Sequence, residues 1–306
     1  MNDALPSGCN PESNQPIEYS IVIPAFRRAE MLERCLECLS PGSQSGAFMA
    51  NEPTPEPAQS RITYEVIVSD DSPDPRDLEA VRARFPWVRW VDGPKRGPAS
   101  NRNEGARHAS GHWLVFTDDD CLPSSGWLLA FSRVESGQPL LEGKTIADRP
   151  RSRLDEEAPI NETGGYLWSC NFAILRTCFE EQCGFDEGFP YPAMEDVEFR
   201  VRLAEAGINP KFCPEAVVVH PWRRTKKGNH HRERQLISWY HFIKLHPRQR
   251  PRFLTLHFFR ISLRVLIKVT IPGMIRYRLR GSLSKLTENA FYAIKGFKAL
   301  MGYDEP

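Results

Sequence analysis

The stretch His112-Trp113-Leu114-Val115-Phe116-Thr117-Asp118-Asp119-Asp120 decides the fold. An apolar run from Trp113 to Phe116 meets three consecutive carboxylates. Such a run, closed by a polar cluster, predicts a strand buried on both faces. The Asp triplet then sits at the strand's carboxyl end, where open α/β sheets bind their ligands. Carboxylates this close raise one another's pKa, so something positive is expected among them, and a divalent cation is the simplest answer. Taken alone the triplet reads as a solvated acidic turn. Its neighbours along the chain change that reading.

Upstream, Tyr19 to Phe26 (YSIVIPAF) predicts a first strand and Ala29 to Leu39 a helix. Tyr64 to Ser69 predicts a second strand ending at Asp70-Asp71-Ser72, and Pro75 to Arg84 a helix with Pro and Asp in its first turn. Trp87 to Val91 predicts a third strand, and Gly97 to Ala106 opens the helix that leads back to the Asp triplet. Strands alternating with helices over about a hundred residues predict a parallel α/β sheet. Downstream, strands are expected at Leu140–Ala147, Tyr166–Arg176 and Ala216–Val219, and a helix at Glu195–Ala206 that Gly207 stops. Residues 1–18 and the Pro-rich insertion 40–61 are expected to be mobile, as is the charged loop Arg149–Glu162.

The 306 residues are 41% hydrophobic and 26% charged, an ordinary globular composition. No basic stretch followed by an apolar core marks a secretory signal at the N-terminus. The net charge of +1 conceals an asymmetry: residues 1–222 carry 21 Lys+Arg against 35 Asp+Glu, and residues 223–306 carry 19 against 4. Of the eight cysteines, Cys35 and Cys38 form a CxxC on one face of a helix without a second pair. Buried thiols in a reducing cytosol fit them better than zinc. Neither GxGxxG nor GxxxxGK[ST] lies at a strand–helix junction, which disfavours a dinucleotide dehydrogenase or a P-loop enzyme.

In order, IVIPAF, VSDDS, GPASNRNEGA, FTDDD, MEDVEFRVRLAEAG and VVVHP resemble the family 2 glycosyltransferases, from about Ile21 to His220. The resemblance implies a GT-A-type nucleotide-sugar-binding mixed sheet flanked by helices over residues 19–222. It also implies inverting transfer from a nucleotide-diphosphate sugar, UDP-linked in family habit, in surface-polysaccharide assembly. Asp118 and Asp120 match the DxD motif, with Asp120 the leading ligand of Mn²⁺ or Mg²⁺ and Asp119 leaving open which carboxylates bind donor or metal. His220 matches a histidine that completes the metal site in many relatives, and mixed carboxylate–imidazole ligation suits Mn²⁺. Asp71 matches the acid that reads the base, although Asp and Ser there also make good helix caps. Pro24 and Phe26 would line the same pocket. Arg102 matches an arginine that steadies the donor, with Asn101 a departure from the commoner Ala. Glu195-Asp196 matches the catalytic pair, Asp196 as general base and Glu195 positioning it or the acceptor. Trp168 and Asn171 lie where relatives place sugar or acceptor contacts, though a buried strand Trp is as ordinary.

The resemblance leaves residues 223–306 unexplained. Phe253 to Thr270 is apolar, but Arg260, Arg264 and Lys268 recur every fourth residue, which disfavours a membrane span. Leu283 to Leu300 repeats the pattern with Lys285, Lys295 and Lys298. These helices are expected to lie on an anionic membrane surface at its cytoplasmic face, or else to pack on the body or a second subunit. A glycan or lipid-linked acceptor would fit, and no nucleic-acid module is visible. A sugar nucleotidyltransferase is the alternative enzyme, disfavoured because IVIPAFRRAE lacks a Gly-rich basic loop. A non-catalytic nucleotide-sugar-binding protein is the third reading.

Overall fold

The computed structural model describes residues 17–49, 62–134, 137–189, 191–224, 229–249 and 256–300. The first half runs β1 (Tyr19–Ala25), α1 (Ala29–Cys38), β2 (Ala47–Met49), β3 (Ile62–Asp70), α2 (Glu79–Arg84), β4 (Arg89–Asp92), α3 (Pro98–Arg107), β5 (Trp113–Thr117) and β6 (Leu122–Pro123). It continues with α4 (Trp127–Ser132), β7 (Leu140–Ala147), β8 (Glu156–Glu157), β9 (Asn171–Leu175), α5 (Arg176–Glu181), α6 (Glu195–Glu205), β10 (Lys211–His220) and β11 (Arg223–Arg224). Helices α7 (Asn229–Leu245), α8 (Leu256–Val265), α9 (Ile271–Arg276) and α10 (Ser282–Leu300) complete the described chain.

The main sheet has strand order β2-β3-β1-β5-β9-β7-β10-β6, with β4 also on β3. Its first part is parallel, as the alternating pattern predicts: β3 and β5 flank β1. β9 and β6 run antiparallel to their neighbours, which makes the sheet mixed. Successive side chains point to opposite faces, so β1 feeds two cores. Ile21 and Ile23 join Leu32, Val115 and Trp127, whereas Val22 joins Leu114, Phe116 and Phe199. The second core is aromatic, with Phe116 and Phe172 stacked at 4.9 Å between ring centroids. Two covered faces explain why β1 and β5 read as unbroken apolar runs.

Three expectations need correction. The stretch read as a mobile insertion is built as far as Met49: β2 pairs in parallel with β3, and buried Gln44 donates to the carbonyls of Cys38 and Ser124. Residues 1–16 and 50–61, the rest of the two segments expected to be mobile, lie outside the described residues. The charged loop Arg149–Glu162 is anchored. Glu156 accepts from the amides of Ser152 and Arg153 and pairs with Arg149 at 2.8 Å, while β8 pairs with β11. Residue 223 is not a boundary in space either. Phe242 of α7 is fully buried against Phe189 and Met194, and Ser238 donates to the Tyr191 carbonyl at 2.8 Å. Among the described residues no helix is long and apolar enough to cross a membrane.

Candidate active site

The carboxyl ends of β1, β3 and β5 open into a cavity of about 1040 Å³. Its walls include Pro24, Phe26, Asp71, Arg102, Asp118, Trp168, Glu195 and Asp196, eight positions singled out from sequence. A second cavity of about 800 Å³, behind α3, α5 and α6, holds none of them.

Arg102 joins two motifs. It projects from α3, is buried, and places Nη2 2.7 Å from Asp118 Oδ1 and Nη1 3.6 Å from Glu195 Oε1. Burial pushes the Asp118 carboxyl up, but Arg102, through its charge and its hydrogen bond, with Arg223 adding to it, holds the group below its ordinary value. Glu195 and Asp196, side by side at the start of α6, both move the other way. Burial raises each, and Arg102 only partly opposes it. Asp196 Oδ1 accepts from the Val197 amide at 2.8 Å, which fixes the carboxylate at the helix entrance. The residue before the pair, Met194, has φ 73°, a left-handed conformation that costs a side-chain-bearing residue roughly 1–3 kcal/mol. Its burial against Phe189 and Phe242 holds it there.

The positive partners demanded by the Asp triplet turn out to be guanidinium groups. Arg28 lies 3.3 Å from Asp120 Oδ2 and donates through Nε to Asp119 Oδ2 at 3.1 Å. Arg223 pairs directly with Asp120. A cation is therefore not needed to explain three adjacent acids. Asp119 is fully buried, accepts from the Phe26 amide at 3.4 Å, and is raised to about 6 by burial, with Arg28 opposing. It does not line the cavity, whereas Arg28 and Phe26, which bond to it, do. Its expected direct contact with the donor is corrected accordingly.

A separate feature does fit a metal. His220 Nδ1 is 2.9 Å from the Pro221 carbonyl, which can only accept, so the proton sits on Nδ1 and Nε2 carries a lone pair. Burial lowers the His220 pKa, with Asp118 opposing, which favours that neutral form. Nε2 then faces Asp120 Oδ1 across 3.5 Å, and that buried oxygen has no hydrogen-bond donor among the described residues. Two facing lone pairs are what a cation bridges. Asp118, Asp120, Cys121 and His220 each offer a ligand atom within 4.8 Å of the others. Burial raises the Cys121 thiol well above its ordinary value, so the oxygen and imidazole donors form the fitting set.

At the opposite wall, Asp71 accepts from the amides of Lys95 at 2.8 Å and Gly97 at 3.2 Å. A Cβ at Gly93 would collide with Asp71 Oδ1 and Asn101 Oδ1, so glycine is required there. Asn101 Nδ2 donates to the Ser69 carbonyl at 2.9 Å and to Ala25 at 3.4 Å, tying the ends of β3 and β1 together. Phe26 is half exposed at the rim, and Trp168 stacks on Tyr166 with centroids 5.5 Å apart. Asn171 does not face the cavity. Buried, it accepts from Trp127 Nε1 and donates to the carbonyls of Lys144 and Ala216, which makes it a sheet tether rather than an acceptor contact. Sequence reasoning missed Arg28, Arg223 and Trp239 of α7, all cavity residues. Arg28 and Arg223 carried a signal, since each lies within three residues of a recognised motif, but Trp239 carried none.

Residues 20–131 match the family described as "Glycosyl transferase family 2". Over that segment the chain is similar to that family. It is similar to the pre-mycofactocin glycosyltransferase of Mycobacterium tuberculosis, 31% identical over 149 residues that cover 42% of this chain and 31% of that one. It is also 25% identical over 225 residues to glycosyltransferase AglE of Haloferax volcanii, covering 67% of each. The match thus spans about a third of the mycobacterial relative's length. Among solved structures, mannosyltransferase PcManGT from Pyrobaculum calidifontis, in complex with GDP-Man and Mn²⁺, superimposes with TM-score 0.55 at 17% identity, over 98% of this chain and 92% of that chain. The shared architecture is the mixed sheet of the GT-A fold.

Proposed function

We propose that this chain transfers a sugar, with inversion, from a nucleoside-diphosphate donor, UDP-linked in our reading, to a hydroxyl of a glycan or lipid-linked acceptor. The observation that carries the proposal is Arg102, bridging Asp118 and Glu195 in the cavity that Asp196 also lines. It holds the motif assigned to the donor beside the motif assigned to the base.

Asp196 takes the acceptor hydroxyl's proton as that oxygen attacks the anomeric carbon. The bond to the diphosphate breaks on the opposite face, and its electron pair leaves with the nucleoside diphosphate. A carboxyl raised by burial binds that proton more firmly than a solvated one. Glu195, fixed by Arg102, positions the base. Phe26 offers an aromatic face to the nucleobase, and Asp71, aimed by two backbone amides, accepts from its N–H. Trp168, backed by Tyr166, presents its ring to a sugar.

Asp118, Asp120 and His220 would hold Mn²⁺ or Mg²⁺, which offsets charge on the leaving diphosphate when bound. A peripheral position at the inner face of a membrane belongs to the same reading, since the basic C-terminal helices suit delivery of a lipid-linked acceptor. A thermal-shift panel of nucleotide sugars, with and without Mn²⁺, tests the proposal. One nucleotide sugar should raise the midpoint, more so with metal. A flat response to every member would contradict it.

A further inference from the structure

The C-terminal helices are packed inside out. Among the described positions of α8, α9 and the π-helical turn Leu266–Thr270 joining them, the buried ones are Ser262, Thr270 and Gly273. Ser282 and Asn289 of α10 are buried likewise, and Asn289 Nδ2 donates to Thr270 Oγ1 at 2.7 Å. A Cβ at Gly273 would collide with the Leu154 side chain, so this face is closed by tight contact with the anchored loop. The large apolar residues point the other way. Leu263, Ile267, Ile271 and Ile275, spaced every fourth residue, are exposed, Ile275 to 79%. Leu279 and Leu283 at the turn into α10 are exposed to 64% and 77%. In water this arrangement is unfavourable, because apolar area outside costs about 25 cal/mol per Å² relative to burial. Small and polar residues between helices with apolar residues outside is the distribution expected where the surrounding solvent is lipid.

Cations border this face. Arg260, Arg264 and Lys268 form an exposed stripe one residue ahead of the apolar one, and Arg276, Arg278 and Arg280 are exposed at the turn. A second copy of the chain would bring this stripe against its like, whereas anionic headgroups complement it.

The geometry points to residues 260–294 as a membrane-embedding face, one that sinks Leu263, Ile267, Ile271, Ile275, Leu279 and Leu283 into one leaflet of an anionic bilayer while the arginines stay at the headgroups. This deepens the peripheral placement above and rests on it. It replaces attraction along a surface with insertion, the mode that fits helices too short and charged to span. The face is linked to the cavity. Leu154 N donates to the Arg280 carbonyl at 3.0 Å, Lys285 lies 3.6 Å from Glu157, and β8 pairs with β11, which carries Arg223 to Asp120.

Sedimentation of the full chain with phosphatidylglycerol-containing vesicles, compared with phosphatidylcholine alone, tests this. The wild type should bind the anionic vesicles and stay largely bound at about 1 M salt, where charges are screened beyond about 3 Å. I267D/I275D should lose at least tenfold in binding with an unchanged thermal transition, since both side chains are exposed. R264E/K268E should lose the anionic preference. Wild-type release by salt, together with unaltered binding of I267D/I275D, would overturn insertion. So would absence of binding alongside a dimer in light scattering that I275D disperses. Vesicle binding is read without donor or acceptor, so its failure leaves the transferase assignment standing, and an inactive protein that still binds leaves this one standing.

Discussion

His220 Nε2 and Asp120 Oδ1 face each other at 3.5 Å, lone pair to lone pair, in the buried corner where β5 and β10 end. The Pro221 carbonyl fixes the tautomer that produces this opposition. Removing the imidazole should therefore weaken metal binding specifically. His220→Ala is expected to lose at least tenfold in Mn²⁺ affinity by calorimetry. Unchanged affinity would place any ion elsewhere.

Arg102 is buried between Asp118 and Glu195. Its removal leaves buried Glu195 and half-buried Asp118 without their shared counter-charge, a loss of about 3 kcal/mol, the lower end for a broken buried pair. Arg102→Met should lower the unfolding free energy measured in urea by that order, whereas the same change at exposed Arg96 should not.

Glu156 is buried under Arg149 and the Ser152 and Arg153 amides. Burial pushes its pKa up, but these partners outweigh it and bring it down to about 2. A depressed folded pKa contributes stability above the unfolded value and loses it as pH falls through the folded one. Glu156→Gln should accordingly cost about 2 kcal/mol at neutral pH. That difference should shrink between about pH 4.5 and 2. Chemical denaturation across that window measures it.

Phe242 of α7 supports Met194, which carries the left-handed turn into Glu195-Asp196. A chain ending at Arg224 should lose that support and fail to give a cooperative transition. Phe242→Ala should destabilise by roughly 3–5 kcal/mol and lower turnover more than donor affinity.

Much of this was legible in the sequence because the physical signals were local. β1, β3 and β5 carry the apolar runs Ile21–Ile23, Val66–Val68 and Trp113–Phe116, each ending close to Pro24, Asp70-Asp71 or the Asp triplet, so both the sheet and the edge carrying the site could be read. β6, β8 and β11 have two residues each and β2 three, too short for any periodicity to appear. The need for positive charge among the three acids was legible, but its source was not. Arg28 lies more than ninety residues from its partners, and Arg223 about a hundred. Asn171 misled because its three hydrogen bonds run to other elements, so an amide expected to meet an acceptor holds strands together.

The central claim is that Asp196 accepts the acceptor's proton. The most direct test is the turnover of Asp196→Asn at saturating donor, with donor affinity measured on the same preparation. Loss of a general base should lower kcat by about 10²–10⁴-fold with donor affinity within a factor of about two. Unchanged turnover would contradict the assignment.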